Sequence, residues 1–464
     1  MTLQAEKSGF SILACCFSSR LKAVFEFIMG LSVTDTINDQ PMSSAQIIAI
    51  CVCVYLLALD GFDVLAIAFA APGISEEWGL AEGVLGWVVT MELIGMAIGS
   101  IFMGNLADRF GRRPILLFSA VIMTLGMLAA AAAPNVYVLS GFRILTGIGI
   151  GAVLATANAM VAELANNKHR SSLVMVMAGG YSFGVVIGGL VATELLEVYN
   201  WRSVFYLGAA GSAIAIPLVL MFLPESISYL VTKRPAKALE KINSILGRFK
   251  KPLLAELPNV TTSGQGTGFR ILFGSRFLKI TLLLSIAYLT HISTFYFVLK
   301  WVPKLVTDMG FTASQGGSIL VWVNFGGLAG SLVLALAMQF FDVRRLAIAF
   351  VIGAVVFVSL FGQVNANMSM LALASIGAGF FSNSAAGAMF PLMAKYFPTK
   401  IRASGSGVVL GIGRAGAISG PVLAGYLLEA QIPLAQVAMI ISIGSMIAAI
   451  AIFLLGAKPV DENA

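Results

Sequence analysis

Long apolar runs recur from end to end of this 464-residue chain. Each is close to the roughly 17–25 residues that a helix needs to cross a hydrocarbon core of about 30 Å. A backbone in lipid must satisfy its own hydrogen bonds, and a helix does so within one segment. We place the runs at 46–71, 84–107, 114–132, 136–159, 171–193 and 202–223, then 277–302, 315–340, 343–363, 368–391, 403–426 and 432–456. The expected fold is an all-α integral membrane protein of twelve transmembrane helices; a membrane barrel would show short alternating segments instead. Composition agrees, since 58% of residues are hydrophobic and only 11% are charged, unlike an ordinary soluble domain. Many of the 48 glycines fall inside the runs, in the small-residue patterns that let helices approach closely in lipid.

Orientation follows from the basic residues, which are retained on the cytoplasmic side of short loops. One set of loops carries Arg109, Arg112, Arg113, Lys168, Arg170, Arg344, Arg345, Lys395, Lys400 and Arg402, together with a basic middle segment and both termini. The opposite set holds Arg202 and Lys304, plus Lys300 near a helix end. Both termini are therefore expected in the cytoplasm. The net charge of +7 reflects this topology and a lipid-facing basic surface, not nucleic-acid binding. Cys15 and Cys16 are adjacent, and Cys51 and Cys53 fall on different sides of one helix, so neither a metal site nor a disulfide is expected. With His169 and His291 the only histidines and no phosphate-cradling loop, no cofactor and no enzymatic chemistry are expected. An apolar stretch at 23–29 lacks a cleavage site; it reads either as an amphipathic surface segment or as lying before a start at Met29.

The one long polar break, 224–276, contains Pro224, Pro235, Pro252 and Pro258 and divides the runs six and six. The organisation expected is a cytoplasmic segment 1–45, a six-helix half 46–223, a cytoplasmic linker 224–276, a second half 277–456 and a tail 457–464. An offset of 232 residues, the separation of Ala162 from Ala394, brings the halves into register. Segment 162–172 (AELANNKHRSS) then matches 394–404 (AKYFPTKIRAS), and Gly179, Gly184 and Gly188 match Gly411, Gly416 and Gly420. Asp108 has a near counterpart in Asp342. Repeated six-helix halves are a transporter architecture, with the substrate site near the midplane between them.

The loop 104–113 (GNLADRFGRR), with Gly104, Asp108, Arg109, Gly111, Arg112 and Arg113, resembles the hallmark loop of the major facilitator superfamily. Its glycines allow a tight helix turn, Asp108 can cap or face the positive end of a neighbouring helix, and the arginines can pair across the cytoplasmic seam, so it reads as a gating loop. Within the superfamily, Asp60-Gly61-Phe62-Asp63 in the first run resembles the aromatic acid:proton symporter family, as do 411–416 (GIGRAG) and Gly420-Pro421. That resemblance spans about residues 38–458. It implies proton-driven import of benzoate-like or hydroxybenzoate-like anions across a bacterial inner membrane, by a chain expected to be monomeric. The alternatives are a superfamily transporter of another solute, such as a dicarboxylate or sugar-like molecule, and a transport-like sensor. A drug antiporter would carry Gly-Pro where Gly184-Val185 stands, and the sugar-porter likeness of Pro224-Glu225-Ser226 breaks at Ile227-Ser228.

Asp60 and Asp63 share nearly one helix face inside an apolar span. An ionised carboxylate at that depth is unfavourable by at least about 2.5 kcal/mol, so it must face a cavity, pair with a cation or take up a proton. Arg143 opens 143–151 (RILTGIGIG), which resembles a second superfamily pattern whose arginine is associated with proton coupling; a purely structural pair with Asp60 or Asp63 is its alternative. Glu92 either pairs with Arg143 or joins the proton path. His291 suits proton handling, or packs as a hydrogen-bonded histidine. Arg414 offers a planar fork for a carboxylate deep in the eleventh run, where its repeat counterpart is only Ser182; its alternative is a helix-end arginine near the cytoplasm, since Arg402 starts the same helix about three turns earlier. Tyr288, Phe295, Tyr296, Trp322, Asn324, Phe381 and Asn383 are candidates for the walls and polar contacts of a flat ring.

Overall fold

The computed structural model describes residues 40–257 and 272–456. The segment before Gln40, with Cys15, Cys16 and Met29, lies outside the described residues, as do linker residues 258–271 and the tail from 457. Among the described residues the secondary structure is helical throughout, in fifteen helices. The first half contains α1 (Ser44–Trp78), α2 (Glu82–Val88), α3 (Met91–Phe110), α4 (Arg112–Ala131), α5 (Val136–Leu164), α6 (Arg170–Val198) and α7 (Arg202–Phe222). Two short helices, α8 (Ile227–Lys233) and α9 (Ala238–Arg248), lie in the linker. The second half contains α10 (Ser275–Asp308), α11 (Ala313–Ala337), α12 (Val343–Gln363), α13 (Met368–Tyr396), α14 (Thr399–Glu429) and α15 (Leu434–Leu454).

Among the described residues, eleven spans are long and apolar enough to cross a membrane, with α2 and α3 together forming one of them. Helix α13 has the length, at 29 residues, but Ser, Gly and Asn dilute its apolarity and it falls outside the eleven. The α2–α3 span is interrupted at Val89 and Thr90, where the Thr90 hydroxyl donates to the carbonyls of Gly86 and Trp87 at 3.3 and 2.8 Å. Helix α1 is started by a capping box between Ser43 and Gln46 and stopped by Gly79 in the left-handed region, φ 57°.

Alternating connections give the bundle two ends. The linker face carries α8 and α9, the α3–α4 turn at Gly111 and the α11–α12 and α13–α14 turns; the far face carries the α1–α2, α4–α5, α6–α7 and α10–α11 connections. In α9, Ala238, Ile242, Ile245 and Leu246 are buried, and Lys251 just beyond donates to the Pro41 carbonyl at 2.8 Å. The linker is thereby tied to the start of α1.

The internal repeat reappears as matched helix crossings. A Cβ on Gly184 would lie 1.8 Å from the Ala58 carbonyl oxygen, pressing α6 onto α1; on Gly416 it would lie 2.1 Å from that of Leu289, pressing α14 onto α10. These are backbone contacts that no side chain can relieve, so Gly184→Ala is expected to destabilise the fold by about 1–3 kcal/mol or more. A lowered midpoint of thermal unfolding in detergent checks this.

At the linker face, Asp342 caps α12 through the Arg344 N–H at 2.9 Å and pairs with Lys395 of α13. The Lys395 hydrogen bond, with the capping N–H, holds its carboxyl below the usual range. A depressed folded value gives stability that is present above the ordinary aspartate value of about 3.9 and is lost as pH falls through the folded one. Asp342→Ala is therefore expected to lower stability at neutral pH by about 1 kcal/mol, a typical cap loss, and to leave stability unchanged in strong acid.

Candidate functional site

Direct hydrogen bonds join the halves at the far face. Lys304 of α10 binds Glu82 at 2.9 Å, Glu429 accepts from the Gly83 N–H at 3.1 Å, the Trp87 indole donates to Tyr426 at 3.1 Å and Ser314 donates to Glu197 at 3.1 Å. Below this closed rim lie the ionisable groups of the bundle interior.

Asp60 and Asp63 are both fully enclosed on α1, and none of their four carboxylate oxygens has a hydrogen-bond partner among the described residues. Between them, Gly61 lets α1 meet α6: a Cβ there would lie 2.2 Å from the Tyr181 carbonyl oxygen. On the α7 side, Asp63 Oδ1 would stand 2.8 Å from a Cβ on Gly208. A buried carboxylate without donors depends on nearby cations to balance its charge.

Arg143 is wholly buried on α5, over the Phe205 ring at 5.5 Å. It donates to the Asp63 backbone carbonyl at 2.8 Å and to Met127 Sδ at 3.2 Å. Its carboxylate partner is Glu92, so of the two roles open to Glu92 in the sequence the pairing is realised, and Arg143 is not paired directly with either aspartate side chain. It still lies within charge–charge range of Asp63. Glu92 also binds Lys300 of the opposite half at 2.7 Å, and the Lys300 ammonium reaches the Val64 carbonyl of α1 as well.

Arg414, half-buried on α14, makes no hydrogen bond or ion pair with any described residue. It is within charge–charge range of Asp60, Tyr288 and Tyr296, and Tyr181 is coupled in turn to Asp60 and Tyr296. The Tyr288 ring packs against Gly413, where a Cβ would lie 2.1 Å from it. An unpaired guanidinium, one carboxylate and three phenols thus meet where α1, α6, α10 and α14 converge.

Other predicted residues lie elsewhere. His291 is buried within its own half, with Nδ1 3.0 Å from the Ser445 hydroxyl and Nε2 2.9 Å from the Ser382 carbonyl, which satisfies a neutral ring. Phe381 belongs to an aromatic stack with Phe350, Phe357 and Phe380 at centroid distances of 5.6, 5.2 and 5.0 Å. Phe295 meets Tyr296 edge-on, and the exposed Trp322 meets Phe325 edge-on. Asn383 donates to Ser331 at 3.3 Å and Asn324 to its own helix at Leu320.

In the loop at 104–113, Gly111 has φ 106°, and a Cβ there would lie 2.4 Å from the Glu225 carboxylate. That carboxylate accepts from the backbone N–H groups of Arg112, Arg113 and Ser226 at 2.8, 3.2 and 2.8 Å, so Glu225 is what caps α4. Arg112 pairs with Glu163 at 2.5 Å, Arg113 donates to the Leu220 carbonyl at 2.5 Å and the Arg109 carbonyl accepts from Tyr229 at 3.4 Å. Asp108 is exposed, and Gly104 has open space around its Cβ position.

Sequence reasoning missed three of these residues. Lys300 reads in the sequence as a charge near a helix end, yet α10 continues through Asp308; the buried Trp301, Val302, Leu305 and Val306, apolar at helical spacing, are the signal. Glu225 looked like part of a broken sugar-porter likeness. Tyr181 stands opposite Gly413 in the repeat register and carried no separate signal.

A paired bundle closed at one end, with ionisable groups gathered beneath that closure, defines a membrane carrier. The family model of the major facilitator superfamily matches residues 51–321 and 284–464. The chain belongs to that superfamily, among its aromatic acid transporters, and is a multi-pass membrane transporter and not an enzyme. Among characterised proteins it is 33% identical to a 4-hydroxybenzoate transporter of Acinetobacter baylyi, over 91% of this chain and 94% of that one. It is 31% identical to a gallate transporter of Pseudomonas putida, over 92% and 95% of the two chains. Among solved structures, the partially occluded, inward-open xylose transporter of Escherichia coli superposes with a TM-score of 0.69 at 17% identity, over 91% of this chain and all of that one, which shows the shared fold.

Proposed function

We propose that this protein is a proton-coupled symporter that imports a small aromatic monocarboxylate of the hydroxybenzoate type by alternating access. The unpaired Arg414 among Tyr181, Tyr288 and Tyr296 carries this reading, because a guanidinium fork binds a carboxylate and phenol rings flank a flat ring. The names of the relatives point the same way. A sugar would leave the guanidinium without an anion.

Asp60 and Asp63 are the proton carriers in this reading. Asp60 ionised holds Arg414 electrostatically; protonated, it releases Arg414 to the substrate carboxylate. Arg143 and Glu92 set the charge around Asp63, while His291, Phe381 and Trp322 serve packing. By the distribution of basic residues, the linker face and both termini are cytoplasmic, in a bacterial inner membrane. The closed far face is then the periplasmic gate, and the conformation is inward-facing. In the opposite state the exposed Asp108 and the arginines of the gating loop close the cytoplasmic seam.

Uptake of labelled 4-hydroxybenzoate into proteoliposomes under an imposed pH gradient tests the assignment; lack of stimulation by any aromatic acid would remove it. Asp63→Asn is expected to abolish gradient-driven accumulation while substrate exchange persists. Full accumulation by that variant would exclude Asp63 as a proton carrier.

A further inference from the structure

The bundle interior contains a balanced charge set that becomes visible only when Lys300 is counted. Asp60, Asp63 and Glu92 are each at most 1% exposed, as are Arg143 and Lys300, and Arg414 is half-buried beside Asp60. Three carboxylates therefore face three cations. The pairs are spatial as well as numerical: Lys300 and Arg143 bind Glu92, Arg143 lies near Asp63, and Arg414 lies near Asp60. The remaining titratable groups near the aspartates are the phenols of Tyr181 and Tyr296, beside Asp60, with Tyr288 beside Arg414; phenols are neutral at physiological pH, and His291 is turned away into its own half.

We infer that Lys300 completes a six-residue set of zero net charge, so that the empty carrier is neutral and the loaded carrier is neutral only when one proton enters with one monovalent carboxylate. This rests on the proposed import of an aromatic monocarboxylate. A proton alone leaves the interior at +1 and an anion alone leaves it at −1, and an unbalanced charge in a low-dielectric interior is strongly disfavoured. The proton goes to an aspartate that lacks a hydrogen-bond donor, not to Glu92, which two cations hold ionised. Transport is then electroneutral. A dianion such as a dicarboxylate would need a second proton.

The first test is uptake of labelled 4-hydroxybenzoate by proteoliposomes, corrected for protein-free vesicles, with the pH gradient and the membrane potential imposed separately. Stimulation is expected from an inside-alkaline gradient, with accumulation approaching about tenfold per pH unit, and none from a valinomycin-induced potential. Uptake stimulated by an inside-negative potential overturns the one-to-one balance while leaving the substrate reading intact. Absence of uptake under both gradients overturns the substrate reading and this inference with it.

The second test needs no transport: calorimetry of 4-hydroxybenzoate binding to the purified protein, in buffers of different ionisation enthalpy, counts protons taken up with the ligand. About one is expected near neutral pH; a value near zero or two overturns the balance. Lys300 itself is probed by the pH profile of exchange. Removing a nearby cation eases proton binding by neighbouring carboxylates, so Lys300→Met is expected to move the profile to higher pH by about one unit. Glu92→Gln should move it lower and the double variant should restore it. A loss of rate with an unmoved profile would assign Lys300 a purely structural role.

Discussion

Replacing Arg414 with alanine is expected to weaken 4-hydroxybenzoate binding to the purified protein by roughly 10- to 150-fold. The estimate follows from the loss of a charge-assisted hydrogen bond, about 1.5–3 kcal/mol. Fold stability should change little, because Arg414 makes no hydrogen bond or ion pair within the described structure and Asp60, the carboxylate beside it, can take up a proton in its absence. Arg414→Lys keeps the charge and loses the planar fork, and should fall between the two. Calorimetric titration decides the matter: unchanged affinity in the alanine variant would place the carboxylate elsewhere. The same variant removes the cation beside Asp60, so residual transport should persist to higher pH than in the native protein.

Glu92→Gln has the opposite character, with its main effect on stability. Glu92 is 1% exposed and compensates two cations that are themselves at most 1% exposed, one in each half. Breaking a buried ion pair by removing one partner typically destabilises by about 3–5 kcal/mol, because the remaining charge is left without compensation. The variant is expected to unfold at clearly lower temperature in detergent. Lys300→Met combined with Glu92→Gln should recover part of that loss, since only Arg143 then lacks its carboxylate and it retains the Asp63 carbonyl and Met127. An unaltered melting temperature for Glu92→Gln would mean that the pairing contributes nothing to the stability of the fold.

The interior network also explains why parts of the site were legible in the sequence and others were not. Asp60, Asp63, Glu92 and Arg143 stand out because an ionisable group at membrane depth is disfavoured unless it is used, which is a local property of sequence and solvent. The symmetry breaks of the repeat pointed to Arg414 in the same way, since the scaffold places only Ser182 at the equivalent position. Which carboxylate meets which arginine is not local. Arg143 and Glu92 come from α5 and α3, and Lys300 from α10, 208 residues from Glu92. Lys300 stands near an apparent helix end in the sequence, although α10 runs to Asp308 and keeps Trp301, Val302, Leu305 and Val306 buried. The aromatic candidates divided for a similar reason. Apolar rings are placed by whatever surface they pack on, so Phe381 joined the α12–α13 stack while Tyr288 and Tyr296 faced Arg414.

The sequence by itself determined the class of fold, the equivalent glycine contacts of its two sets of helices and the positions where charge lies inside apolar spans. Hydrophobic run length and the energetics of charge in lipid act on one helix at a time. Its glycine pattern even carried the helix crossings, since Gly184 and Gly416 mark equivalent close contacts in the two halves. The tertiary structure decided the partners: Glu92 bridging Arg143 and Lys300, Glu225 rather than Asp108 capping α4, and Arg414 left free beside Asp60. Pairing depends on which helices meet and at what height, a property of the packed bundle that no single segment encodes.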